Sequence, residues 1–161
     1  MSPKSYTVQR STMIQAPAAR VYAQIADFHN WASWSPWEDV DPSMQRSFSG
    51  ARSGTGAAYA WSGNRKAGQG RMEITEATEP TQVHIDLTFE KPFKARNDTS
   101  FLIQPEADRS LVTWTMTGQT TLLTRVMGVF VSMDTFLGRD FEKGLARLKA
   151  VTEHGDAEPS A

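Results

Sequence analysis

The stretch that decides the fold runs from Thr120 to Glu153 and reads TTLLTRVMGVFVSMDTFLGRDFEKGLARLKAVTE. Apolar residues recur at Leu123, Val126, Met127, Phe130, Met133, Leu137, Phe141, Leu145, Leu148 and Val151. Steps of three and four follow the α-helical period, so the stretch predicts one long amphipathic helix with a single apolar stripe. Gly128, Gly138 and Gly144 interrupt it and weaken the rod where they fall. Arg139, Lys143 and Arg147 recur every four residues and read as its solvated face. A stripe this long needs another element to cover it.

The chain before the helix supplies that cover. From Met44 onward, short segments alternate with glycine and proline breaks. Strands are expected at Met44–Ser49, Ala57–Ser62, Arg71–Ala77, Gln82–Phe89, Lys94–Gln104 and Ser110–Gly118. The alternation is cleanest in Gln82–Phe89, with Val83, Ile85, Leu87 and Phe89 on one face and His84, Asp86 and Thr88 on the other. In Ser110–Gly118 the same rule puts Val112, Trp114 and Met116 on the helix side and Thr113 and Thr115 on the solvent side. Nearer the start, Tyr6–Gln15 reads as a strand. Pro17 then opens a short helix through Val21, Tyr22, Ile25 and Ala26 that ends near Asp27. The segment Phe28–Pro42 is irregular and holds Trp31, Trp34 and Trp37. The resulting class is α+β: a curved antiparallel sheet of about seven strands wrapped around a long C-terminal helix, with short helices after the first strand. Side chains seldom fill all the space between such a sheet and helix, so an interior cavity is expected.

The 161 residues suit one domain, expected over 1–154, with a flexible polar tail at 155–161. Lys plus Arg is 17 and Asp plus Glu is 18, a balance without the basic excess that nucleic acid or an anionic membrane surface demands. The chain holds no cysteine, which excludes disulfides, thiol nucleophiles and Cys-ligated metals. Neither a signal-type apolar core nor a membrane span is seen. A cytoplasmic monomer or weak homodimer, without integral membrane association, is the expectation.

Several motifs in this order resemble the START and birch-pollen-allergen-like superfamily, also labelled SRPBCC, in its bacterial polyketide cyclase/dehydrase-like branch. They are Ile14-Gln15-Ala16-Pro17 leading into Val21 and Ile25; Asp27 with Trp31-Ala32-Ser33-Trp34-Ser35-Pro36-Trp37; and Gly54-Thr55-Gly56 before Tyr59 and Trp61. Val112-Thr113-Trp114-Thr115-Met116-Thr117-Gly118 and Phe141-Glu142-Lys143-Gly144-Leu145 complete the set. The resemblance covers roughly residues 5 to 153. It implies the helix-grip fold and a ligand cavity, and it carries over no catalytic residue, because the superfamily shares none.

Candidate ligand-binding residues follow from the faces that meet. They are Trp34 and Trp37 from the tryptophan-rich segment, and Tyr59, Trp61, Met72, Phe89, Phe93, Trp114 and Met116 on or beside strands. Phe130, Met133 and Leu137 come from the long helix. Asn97 and Asp134 are the polar candidates, and Thr99 shares a face with Asn97 if Phe101 points inward. For each aromatic, ordinary core packing stands beside the pocket role. For Asp134, an exposed position stands beside a buried carboxylate with a shifted pKa.

Enzyme motifs are missing. His29, His84 and His154 are the only histidines, and neither His84, on a polar strand face, nor His154, in the tail, is placed to polarise a serine. There is no Gly-x-Ser-x-Gly elbow, and Gly54-Thr55-Gly56 leads into a strand instead of a dinucleotide-binding helix. No spacing suggests a metal site, and no cofactor is expected. The expected function is therefore reversible binding of a small hydrophobic or aromatic molecule. An aromatic cyclase or dehydratase using the same cavity, with Asn97, Tyr59 or Asp134 moving protons, and a partner-binding module remain as alternatives.

Overall fold

A computed structural model describes residues 5–35, 45–63, 68–91, 95–119 and 133–155. The chain forms β1 (Ser5–Ile14), α1 (Ala18–Ala26), a 3-10 helix (Phe28–Ser33), then β2 (Gln45–Gly50), β3 (Ala57–Ser62), β4 (Gln69–Thr78), β5 (Gln82–Lys91), β6 (Ala95–Glu106) and β7 (Arg109–Gln119). It ends in α2 (Met133–Gly155). All seven strands join one antiparallel sheet in the order β1-β7-β6-β5-β4-β3-β2. The first strand pairs with the last, Ser5 opposite Gln119 and Ile14 opposite Ser110, so the meander is closed against its own beginning.

The alternation expected in β5 and β7 is present. Val83, Ile85 and Leu87 are buried, as are Val112, Trp114 and Met116. Register shifts in β4 at Gln69/Gly70 and Ile74/Glu76 interrupt the ladder with β5, and such bulges bend a sheet and increase its twist. The concave face so made receives α2, which buries Phe141, Leu145 and Leu148 at helical spacing. Phe141 lies on Trp114, while Lys149 Nζ donates to Met13 O at 2.9 Å. Phe141 and the turns of α2 that follow it therefore cover one end of the sheet.

Short-range chemistry sets the first helices. Pro17 is the N-cap of α1, one position before the first helical residue. Val21, Tyr22, Ile25 and Ala26 are buried by α1. Asp27 caps the 3-10 helix by accepting from the His29 amide, so Trp31 and Trp34 are delivered inward on a rigid turn. The long helix continues to Gly155, two residues past its expected end. Its expected beginning, Thr120–Ser132, lies outside the described residues.

Candidate functional site

The inner face of the sheet divides into two ends. At the first, Trp114 is stacked between Phe101 and Phe141, with ring centroids 4.9 and 4.1 Å away. Trp34 meets Trp114 and Phe101 edge-on at 5.7 and 5.9 Å, and Trp31 lies 4.6 Å from Trp34. Trp34, Phe101, Trp114 and Phe141 are all fully buried. The indole N–H of Trp31 donates to Ile25 O at 2.8 Å and that of Trp34 to Gln24 O at 3.1 Å, so both rings are held against α1. This end is a solid aromatic plug.

The second end is built from two rows across the sheet. Pairing registers align Tyr59, Met72, Leu87, Asn97 and Gly118 in one row and Trp61, Gly70 and Phe89 in the next. Thr99 and Met116 are paired partners one step closer to the plug. Trp61 and Phe89 meet edge-on at 5.8 Å and are only partly buried. A Cβ at Gly70 would stand 2.7 Å from the Trp61 ring and 2.5 Å from Thr88 O, so only glycine lets the indole lie against β4. Asn97 and Thr99 are buried on this face. The Thr99 hydroxyl has no hydrogen-bond partner among the described residues.

Of the expected site residues, Tyr59, Trp61, Met72, Phe89, Asn97 and Met116 therefore share one surface. Trp34 and Trp114 do not: both belong to the plug, because the 3-10 turn directs Trp34 inward and Trp114 lies directly beneath α2. Trp37, Phe93 and Phe130 lie outside the described residues. Met133, Asp134 and Leu137 are helical in backbone, and their side chains lie outside the described set. Gly70 falls just before the strand expected at Arg71–Ala77 but lies inside β4, and its place beneath Trp61 depends on strand pairing. Thr99 was legible from alternation alone.

Charged groups sit at the margins. The Asp27 carboxylate accepts from the His29 ring Nδ1 at 2.7 Å and lies 3.4 Å from Arg52 Nε. Burial pushes its pKa up, but bonds from the His29 ring and amide, together with Arg52, outweigh this and hold it below the usual value. The His29 ring stacks on Phe48 at 4.0 Å, and Phe48 stacks on Tyr59 at 5.2 Å. Burial, with Glu79 nearby, raises the pKa of Tyr22. On the β1 margin, Arg10 Nε donates to Glu142 at 2.9 Å across the seam with α2. A groove of about 420 Å³ runs there, lined by Arg10, Thr12, Glu142, Leu145 and Lys149 among others. Lys149 bonds Glu153 at 2.5 Å, and Glu153 also accepts from the Gln15 amide. Those bonds hold the Glu153 pKa below its usual value.

Among the described residues, no group of three or more His, Asp or Glu side chains is placed to hold a metal. No described helix is long and apolar enough to cross a membrane.

A concave antiparallel sheet gripping a C-terminal helix, with a short helix after the first strand, defines the helix-grip class. The polyketide cyclase / dehydrase and lipid transport family matches residues 5–153, and the chain belongs to that family. A norcoclaurine synthase point mutant from Thalictrum, solved with a transition-state analogue, is similar with TM-score 0.69 at 6% identity, over 97% of this chain and 99% of that one. A Thermus thermophilus protein superposes with TM-score 0.67 at 18% identity, over 93% and 99% of the two chains. The Aha1 dimer of Colwellia psychrerythraea gives TM-score 0.61 at 16% identity, over 93% and 98%. At these identities the likeness is one of fold. No curated protein matches the sequence.

Proposed function

We propose that the protein reversibly binds a small hydrophobic or aromatic molecule on the concave side of the second end of the sheet. The observation that carries this reading is the incomplete burial of Trp61 and Phe89 beside the buried Tyr59, Met72 and Leu87 on the concave face. Large aromatic surfaces left partly uncovered beside Met72 offer an adaptable apolar wall. The described buried polar side chains, Ser35, Asn97, Thr99, Ser110 and Thr152, are hydroxyls and amides. Such groups orient a ligand and are poor proton relays at neutral pH, which supports a carrier or sensor role. The lipid transport in the family's description agrees with it. The ligand is a small molecule and not a nucleic acid, and the working form is a cytoplasmic monomer or weak homodimer.

Native mass spectrometry of freshly purified protein should show a co-purified small molecule. The folded protein should also take up 1-anilinonaphthalene-8-sulfonate at one site per chain. Uptake only after partial denaturation would remove this reading. Cyclase or dehydratase chemistry is the second reading, favoured by the same family description. In that case Tyr59, Asn97 or Asp134 would carry the proton, and single-turnover conversion of a poly-β-ketone would separate it from simple binding.

A further inference from the structure

We infer that Thr99 is the anchor for the ligand's polar end, and that this end is a neutral oxygen, a hydroxyl or carbonyl on an otherwise flat apolar skeleton. The inference rests on the ligand-binding reading above and adds to it the chemistry of what is bound. Thr99 is 3% exposed, and its Oγ1 has no hydrogen-bond partner among the described residues. It stands on β6, an interior strand of the sheet, between Ile85 of β5 and Met116 of β7. The backbone groups around it are engaged in the two ladders, so its hydroxyl faces only what lies above the sheet. An orphaned buried hydroxyl is unfavourable, and valine would fill the same volume without that cost. A hydroxyl retained there fits a partner that arrives with the ligand.

The surroundings choose among polar ends. Asn97 lies two residues along the same face, about 7 Å away by strand geometry, and is also buried. Leu87 and Met116 close the flanks, and Trp61 and Phe89 continue the wall. The described buried polar groups are uncharged, and Arg10, the cation on the helix-facing side of β1, is held by Glu142, so among the described residues a carboxylate, phosphate or ammonium end would be desolvated there without a free counter-charge. A hydroxyl or carbonyl instead exchanges one hydrogen bond with Thr99, which both donates and accepts.

The test uses two fluorescent probes of nearly equal shape, naphthalene and 2-naphthol, titrated into the wild-type chain and Thr99→Val. Both should bind the wild type, and 2-naphthol should bind more tightly. Thr99→Val should weaken 2-naphthol by about two- to tenfold, leave naphthalene unchanged, and melt at or above the wild-type temperature. Thr99→Ser against Thr99→Ala repeats the comparison should valine not be tolerated, with serine retaining the preference for 2-naphthol. If both probes bind and no variant lacking the hydroxyl changes their ratio, the anchor is overturned while the ligand-binding reading stands. If neither probe binds the folded wild type, the reading beneath fails and the anchor falls with it.

Discussion

Trp114 and Met116 are two residues apart on one strand, face the same way, and live in different surroundings. Trp114 stacks on two rings, Phe101 inclined by 27° and Phe141 by only 3°. Met116 neighbours Thr99, whose hydroxyl lacks a described partner. The plug gathers residues from the 3-10 turn, the sheet and the helix into contacts between buried rings. The second end leaves Trp61 and Phe89 partly uncovered. One sheet thus concentrates ring packing at one end and leaves aromatic surface partly uncovered at the other.

Substitutions can break that contrast. The largest effect should come from Trp114→Ala, which removes the middle of the stack and should cost about 3–5 kcal/mol in chemical denaturation. Trp61→Ala should cost less than half as much and instead alter uptake of the naphthalene probes. Equal losses at the two positions would erase the distinction between plug and wall. Gly70→Ala should follow at about 1–3 kcal/mol, because the new methyl must displace either the Trp61 ring or the Thr88 carbonyl. Its melting temperature should fall while Trp61 becomes more accessible to a neutral quencher.

Asp27→Ala sharpens the plug side, since Asp27 caps the turn that carries Trp31 and Trp34. The expected loss is about 0.5–2 kcal/mol near neutral pH. Its pKa is held below the usual value in the folded chain, so the carboxylate's contribution is present at neutral pH and lost as pH falls through the folded value. The gap between variant and wild type should therefore narrow below about pH 4. A gap that widened in acid would contradict this assignment. Lys149→Ala should have the smallest effect, under about 1 kcal/mol, because its partly exposed bonds to Glu153 and Met13 O are screened by water.

Much of this architecture is legible in the sequence. Period-two alternation placed Val83, Ile85 and Leu87, and Val112, Trp114 and Met116, on the buried face, because a one-residue slip would have put all of them in water. Helical spacing likewise identified Phe141, Leu145 and Leu148. The candidate site was legible only in part. Alternation marks a side chain as inward-facing but does not say whether its neighbour is another ring or open space. Trp34 and Trp114 therefore looked like Trp61 on the page, although the first two are sealed in the plug.

Local rules acting along the chain thus determined the strands, the helices and the faces they bury, because backbone geometry ties side-chain direction to sequence spacing. Only the tertiary structure decided which inward-facing residues meet. Strand registers set Gly70 beneath Trp61 and Thr99 beside Met116, and the run of α2 over β1 and β7 set Phe141 on Trp114. These are contacts between residues far apart in sequence, and no pattern within a single segment encodes the partner that another segment brings.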